Sequence, residues 1–291
     1  MNVFANTFLE GDFLKKIAVI NDLSGFGRCS LTASLPIISV MGHEAVPMPT
    51  AILSNQTGYE NCYCDDFTDR MGFFTENWKN ITSHFDGIFT GYIANEKQID
   101  IISHFINDFR NEDTLVLCDP VMADDGKMYS KYSESMCKKI ILLAHKANVI
   151  TPNFTELCIL SNESFDEISV LPIDKLLEKV KMMSQSLLND NLKTVITTGI
   201  PSNQADGDFI ATAVLWDGGF NSLSVPKIGG SFSGTGDIFA SIICSSMLNN
   251  VNPLFATIKA VGFISKAIEE TVKHPYDRND GIDFQKFLKE L

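Results

Sequence analysis

The sequence predicts an α/β fold, with a central, mostly parallel β-sheet flanked by helices on both faces. Three observations carry that reading. Short apolar runs such as Lys16-Ile17-Ala18-Val19-Ile20-Asn21 and Thr114-Leu115-Val116-Leu117-Cys118 have the continuous apolar character of parallel strands buried on both faces. Stretches with helical spacing alternate with them, as in repeated strand–helix–strand units. Each run also stops at a polar or glycine-rich turn, and open α/β sheets collect their ligands at the carboxyl ends of such strands.

In chain order, the strand at Lys16 to Asn21 ends in Asp22-Leu23-Ser24-Gly25-Phe26-Gly27, and a helix follows from Leu31 to Met41. The GxG here is half of a dinucleotide fingerprint, without the third glycine or the ribose-binding acid. A second strand, Ala45 to Pro49, leads to the uncharged polar loop Ser54-Asn55-Gln56-Thr57-Gly58-Tyr59, which is either an ordinary turn or a cradle for a neutral polar ligand. Gly87 to Gly91 is a third strand running into Tyr92, and Glu96 to Arg110 an amphipathic helix. The strand at Thr114 to Cys118 ends in Asp119-Pro120-Val121-Met122, where Asp119 is placed for a metal or water network, or for a cap. Asn148 to Ile150 ends in Thr151-Pro152-Asn153-Phe154-Thr155-Glu156, whose Asn153 and Glu156 also form a plain capping pattern. Leu171 to Leu188 is a long amphipathic helix. Lys193 to Thr198 is a buried strand ending at Thr197-Thr198-Gly199, and Asp208 to Asp217 with Phe220 to Val225 read as an antiparallel hairpin at the sheet's edge. Pro253 to Val272 is a late helix.

Composition bounds what this fold can serve. The 291 residues are 45% apolar, enough for a substantial core, and no linker, repeat or low-complexity tract divides them, so 1–291 reads as one domain with 1–15 as an N-terminal extension. With 23 basic and 36 acidic residues the formal charge is −13, which offers no basic surface to nucleic acid or anionic lipid. The seven cysteines, several inside apolar runs, read as reduced thiols of a cytoplasmic protein, and Cys62 and Cys64 lack the spacing and second ligand pair of a zinc site. The first residues have neither a charged start nor a long apolar stretch, and no run approaches a membrane span.

The stretch with the most chemical content is Ser233-Gly234-Thr235-Gly236-Asp237, followed directly by an apolar helical run. Glycines that turn tightly before a helix expose the N–H groups of its first turn, and with the positive end of the helix dipole these suit a phosphate. A carboxylate in that place repels an anion, unless its task is to accept the proton of the group attacking the phosphate. The alternative is a glycine turn with Asp237 capping a buried helix. A doubly wound topology would bring Asp22, Thr57, Tyr92, Asp119, Asn153, Glu156, Thr198 and Asp237 to one edge of the sheet. An anion cradle, a base and oxygen ligands for magnesium are the parts that phosphoryl transfer needs, and the absence of GxxxxGK[ST] excludes the P-loop families.

On these residues the chain resembles the ribokinase-like superfamily, and within it the pyridoxal/pyridoxamine (vitamin B6) kinases, from about Lys16 to Val272. The motifs are Asp22 to Gly27, Ser54 to Tyr59, Thr90-Gly91-Tyr92, Asp119 to Met122, Thr151-Pro152-Asn153 with Glu156, Thr197-Thr198 and Gly234 to Asp237. The resemblance implies an ATP-dependent kinase that phosphorylates the 5′-hydroxymethyl group of pyridoxal, pyridoxamine or pyridoxine in cofactor salvage. Asp237 matches the general base, and Gly234, Thr235 and Gly236 match the anion hole. Asp119 and Glu156 match residues around Mg2+, and Asp119, Asn153, Thr197, Thr198, Thr235, Gly236, Asp124 and Tyr129 match contacts around ATP. Asp22, Ser24, Thr57, Tyr92 and Asp237 match the substrate side. Such kinases are typically homodimers, and some relatives add a monovalent cation. Many have Ser at the position of Asp22, and the DxSGxG form is also similar to hydroxymethylpyrimidine kinases. A non-catalytic nucleotide or vitamin binder on the same fold is the other alternative.

Overall fold

The computed structural model describes residues 14–204 and 207–291, so most of the extension read over 1–15 lies outside the described residues. In chain order, β1 (Lys16–Ser24) leads into α1 (Ser30–Val40), β2 (Glu44–Leu53), β3 (Cys64–Asp66), α2 (Thr68–Trp78), β4 (Gly87–Thr90) and α3 (Glu96–Phe109). There follow β5 (Leu115–Cys118), the two-residue strands β6 (Ala123–Asp124) and β7 (Lys127–Met128), α4 (Glu134–Ala144), β8 (Val149–Ile150), α5 (Phe154–Leu160), α6 (Phe165–Ile168) and α7 (Ile173–Leu187). The last part comprises β9 (Thr194–Gln204), β10 (Gly207–Trp216), β11 (Gly219–Pro226), α8 (Thr235–Leu248), α9 (Pro253–Thr271) and 3-10 turns at Arg278–Asp280 and Phe284–Glu290.

The main sheet has nine strands in the order β11-β10-β9-β8-β5-β4-β1-β2-β3. From β2 to β9 every neighbouring pair is parallel, and antiparallel strands close both ends. This is the expected mostly parallel architecture, with the expected hairpin at one edge. β2 carries Pro47 and Pro49, which is tolerable because β3 pairs with it only over Ala51 to Leu53, leaving the outer edge open where the prolines stand.

Strand alternation divides the core into two layers. Ala18, Ile20, Ile88, Val116 and Ile150 face one side, where α2 to α7 pack. Ile17, Val19, Phe89, Leu117 and Val149 face the other, against α1, α8 and α9. Helix α8 is buried nearly all round, from Ile238 to Ser246 and again at Leu248, which accounts for its unbroken apolar run. It therefore has little freedom to shift, and whatever its first turn presents is held rigidly at the sheet's carboxyl edge. No helix among the described residues is long and apolar enough to cross a membrane.

Candidate active site

The sheet order reverses at β1, which has β4 on one side and β2 on the other, so a crevice opens at the carboxyl ends of β1 and β4. The pairing of β1 with β2 slips between Asn21 and Leu23, leaving Asp22 at an irregularity of the kind that re-aims side chains beside active sites. Asp22 is 4% exposed and its Oδ2 accepts a hydrogen bond of 2.8 Å from Ser24 Oγ. Burial raises its pKa above the ordinary 3.8, against the lowering effect of bonds from Ser30 and Ser24.

Across the crevice α8 begins at Gly234, whose left-handed backbone (φ 81°) only glycine adopts readily. A Cβ there would come within 2.0 Å of the Arg28 carbonyl oxygen, so glycine is needed for space as well as for conformation. Asp237 stands in the first turn of α8, and Asn21 Nδ2 donates to its Oδ1 at 2.8 Å. The residue keeps a partly exposed edge, but its carboxyl is drawn out of water, and burial pushes its pKa to about 6 against the effect of bonds from the Ser30 backbone and Asn21. The Asp22 charge also raises it. A carboxyl poised near neutrality is suited to proton transfer. Ser30, at the start of α1, bonds Asp22 through its side chain and Asp237 through its backbone, from the strained position φ 52°.

The third acidic group is Asp119, just beyond β5 and 7% exposed. Its Oδ1 accepts from Thr151 Oγ1 at 3.1 Å, and its Oδ2 lies 3.7 Å from where a Cβ on Gly236 would stand. The turn that opens α8 and the tip of β5 thus face one another. Burial, then the Asp237 charge, raise the Asp119 pKa, and burial with the Asp119 charge raises that of Glu156. Burial is the largest cause for all four acids, and no cationic side chain is among the leading causes.

A buried Asp119 oxygen beside like charges fits an oxygen-seeking divalent cation such as magnesium, which keeps several waters and takes few protein ligands. Glu156 is committed elsewhere. Its Oε2 accepts from Asn153 N at 2.9 Å, its Oε1 from Met122 N at 3.0 Å, and Asn153 Oδ1 accepts from Glu156 N in return. This is the capping pattern of the sequence, realised at α5, so any reach of Glu156 toward a metal passes through water.

The remaining candidates divide by position. Asn153 Nδ2 donates to Ala123 O at 2.7 Å, tying the start of α5 to the small β6–β7 hairpin that carries Asp124, and Asn153 bridges to Thr198. Thr198 is half-buried, whereas Thr197 is fully buried with its hydroxyl unpartnered. Tyr92 joins an aromatic chain, with ring centroids 6.3 Å from Tyr132, which lies 6.2 Å from Tyr129. Burial, with the neighbouring Cys64 and Asp22, pushes the Tyr92 hydroxyl up to about 12. Thr57 is exposed on its loop, and the buried member of that loop is Gln56. Gln56 Nε2 reaches Ser233 Oγ and Asn279 Oδ1, at 2.9 and 2.7 Å.

The sequence assigned no individual role to Asn21, Ser30, Gln56 or Thr151, although Gln56 and Thr151 lie within motifs quoted above. Asn21 carried a weak signal, as a polar residue closing an apolar strand. The others are defined by partners far along the chain.

A sequence profile described as phosphomethylpyrimidine kinase matches residues 31–280. The chain belongs to this kinase family. Among its curated relatives is a pyridoxal kinase from Ovis aries, 22% identical over 83% of this chain and 80% of that protein. The chain is similar to a phosphomethylpyrimidine kinase candidate from Bacteroides thetaiotaomicron, crystallised with pyridoxal, at 36% identity and TM-score 0.88 over 96% of each chain. A Leishmania donovani pyridoxal kinase in complex with ADP and pyridoxamine shares the fold at 22% identity, TM-score 0.79 and 94% coverage of each chain. A Caenorhabditis elegans pyridoxal kinase candidate is 26% identical over 166 residues, 56% of this chain and 49% of that protein, so the kinase matches about half the length of this relative.

Proposed function

We propose that this kinase transfers the γ-phosphoryl group of ATP to the 5′-hydroxymethyl group of a B6 vitamer, pyridoxal, pyridoxamine or pyridoxine. The observation that carries the reading is the placement of Asp237, a carboxyl with its pKa near 6, in the first turn of a rigid helix behind a left-handed glycine. A pure binder gains nothing from a carboxylate facing a phosphate, whereas a general base belongs there. The ADP complex of the Leishmania relative and the pyridoxal complex of the Bacteroides protein support the two substrates.

In this mechanism Asp237 accepts the hydroxymethyl proton as that oxygen attacks phosphorus. The backbone N–H groups of the Gly234 to Asp237 turn, at the positive end of α8, stabilise charge on the transferring group. Asp22, buried and with a raised pKa, shares a proton with a ring nitrogen, and Tyr92 lies beside the ring. Asp119 would hold a magnesium ion, with Glu156 reaching it through water, and the ion neutralises the triphosphate when bound.

A second reading is favoured by Asp22 and by the family profile, namely phosphorylation of a hydroxymethylpyrimidine, whose ring also presents nitrogen acceptors and a hydroxymethyl group. An ADP-release assay with pyridoxal, pyridoxamine, pyridoxine and hydroxymethylpyrimidine side by side decides between them. The first reading expects the highest kcat/KM on a B6 vitamer. Turnover confined to the pyrimidine would replace it, and no turnover on any of the four would leave a binder.

A further inference from the structure

We infer that Asn21 is a positioning residue, which aims the Asp237 carboxyl and, through the same side-chain amide, sets the backbone of Asp22 and Tyr92 on the substrate side. The inference rests on the phosphoryl-transfer reading above and goes beyond it, because Asn21 belongs to no recognised motif of the chain.

Asn21 is fully buried near the end of β1, next to the irregularity at Asp22. Its Oδ1 accepts two backbone hydrogen bonds, from Asp22 N at 2.9 Å and from Tyr92 N at 2.8 Å. Both partners can only donate, so the atom facing them must be the amide oxygen. The nitrogen is then forced toward Asp237, where it donates to Oδ1 at 2.8 Å. One planar group therefore fixes three positions from two neighbouring strand ends and from a helix that enters the sequence 216 residues later.

The space for this amide is made by Gly91. A Cβ at that residue would stand 2.5 Å from Asn21 Nδ2 and 2.8 Å from Oδ1, so any larger residue would push the amide out of its place. Gly91 N itself donates to Ile20 O at 2.9 Å, which holds the β4 end against β1. A buried donor to a carboxylate makes a charge-assisted bond that restricts the carboxyl's rotation. Proton abstraction depends on that orientation, and a misplacement of about 1 Å can cost on the order of 10²-fold in rate. Ser30 also links Asp22 to Asp237, but it meets the base through its backbone, whereas Asn21 joins the two sides through one side-chain amide.

The discriminating change is Asn21→Asp. It keeps the size and the oxygen that accepts from Asp22 and Tyr92, and it replaces the donor to Asp237 by a second carboxylate oxygen, whose charge repels that of the base. The expected result is a kcat lower by about 10- to 100-fold, with KM for vitamer and ATP changed by less than about threefold. The double variant Asn21→Asp with Asp237→Asn restores one donor facing one acceptor. It is expected to recover the melting temperature and vitamer affinity of the parent by calorimetry while having no base and no turnover. Recovery by the double variant supports the inference also where Asn21→Asp alone does not fold. A kcat within twofold of the parent in Asn21→Asp, a loss that falls on KM alone, or a double variant no more stable than the single one would each overturn it. The calorimetric part needs no catalysis. A parent protein inactive on all four alcohols would therefore sink the kinase reading while the coupling between Asn21 and Asp237 was still measured.

Discussion

Gln56 Nε2 donates to Ser233 Oγ at 2.9 Å, joining the loop after β2 to the residue that precedes the anion turn. The same amide reaches Asn279 Oδ1 at 2.7 Å, Gln56 Oε1 accepts from Gly58 N at 2.6 Å, and Tyr59 donates to Asp280. Ser233 N in turn donates to Arg278 O at 3.1 Å. Three segments distant in sequence are thus tied together by hydrogen bonds, which link the side of the crevice that would hold the vitamer to the side that would hold phosphate.

From this follows a prediction for Gln56→Ala. Removing a buried amide that satisfies three partners costs about 1–3 kcal/mol of stability. The larger effect expected is a rise of about tenfold in KM for the vitamer, since the loop loses its anchor rather than the base its proton. Denaturant unfolding and steady-state kinetics check both parts. A variant with vitamer KM unchanged would show that the loop holds its shape without Gln56.

The two glycines of the turn should behave differently. Gly234→Ala forces a side chain into a left-handed backbone and against the Arg28 carbonyl at 2.0 Å. The conformational part alone costs about 1–3 kcal/mol, so lost stability and lost turnover are expected together. At Gly236 an added Cβ makes only an ordinary 3.7 Å contact with Asp119 Oδ2. Gly236→Ala should fold with the parent's melting temperature, yet it narrows the space between turn and carboxylate and should raise KM for ATP. Equal stability losses in the two variants would contradict this difference.

Magnesium should be required, and its effect should be visible without turnover. Burial raises the pKa of both Asp119 and Glu156, with the Asp237 charge adding to it at Asp119 and the Asp119 charge adding to it at Glu156. A cation that relieves the repulsion stabilises the folded state in proportion to its occupancy. Added Mg2+ should raise the melting temperature of the nucleotide-free protein, Asp119→Asn should remove most of that rise, and full chelation should abolish activity. Activity that survives chelation would count against the assignment.

The strands of the parallel sheet were legible in the sequence because each is an apolar run cut off by a turn, and their carboxyl ends carried most of the candidate site. Helices α2 and α4 were not read. The first has little apolar contrast and a glycine, Gly72, in its middle, so its packing face emerges only against α3 and the sheet. The short strands β3, β6 and β7 are two or three residues long and exist through tertiary pairing. The same holds at the site. Asp237 announces itself beside two glycines, but the importance of Gln56 depends on Ser233, 177 residues away, and no local pattern records that contact. The pattern at Asn153 and Glu156 read first as a cap, and the structure bears the cap out through Asn153 N to Glu156 Oε2, while a bond from Met122 N occupies the other carboxylate oxygen.

The sharpest test lies at Asp237. If it is the general base, Asp237→Asn keeps the shape and the bond from Asn21 but removes the proton acceptor. Turnover should then fall by about 10²- to 10⁴-fold, with KM for ATP little changed because the backbone cradle is intact. In the parent, kcat/KM should decline as pH falls through about 6, where the folded protein takes up the proton. Stability should move the other way. The folded pKa of about 6 lies above the ordinary 3.8, so the native state binds this proton more tightly than the unfolded chain does. The group's stabilising contribution is fully present below about pH 4 and is lost as pH rises through about 6. Asn carries no charge at any pH, so Asp237→Asn should be more stable than the parent at about pH 8, with the gap narrowing through pH 6 and closing near pH 4. A helix cap predicts neither effect, because Asn caps about as well as Asp. Paired pH–rate profiles and melting curves of the two nucleotide-free proteins separate the readings, and a folded Asp237→Asn enzyme with near-normal turnover would overturn the base while leaving the fold as described.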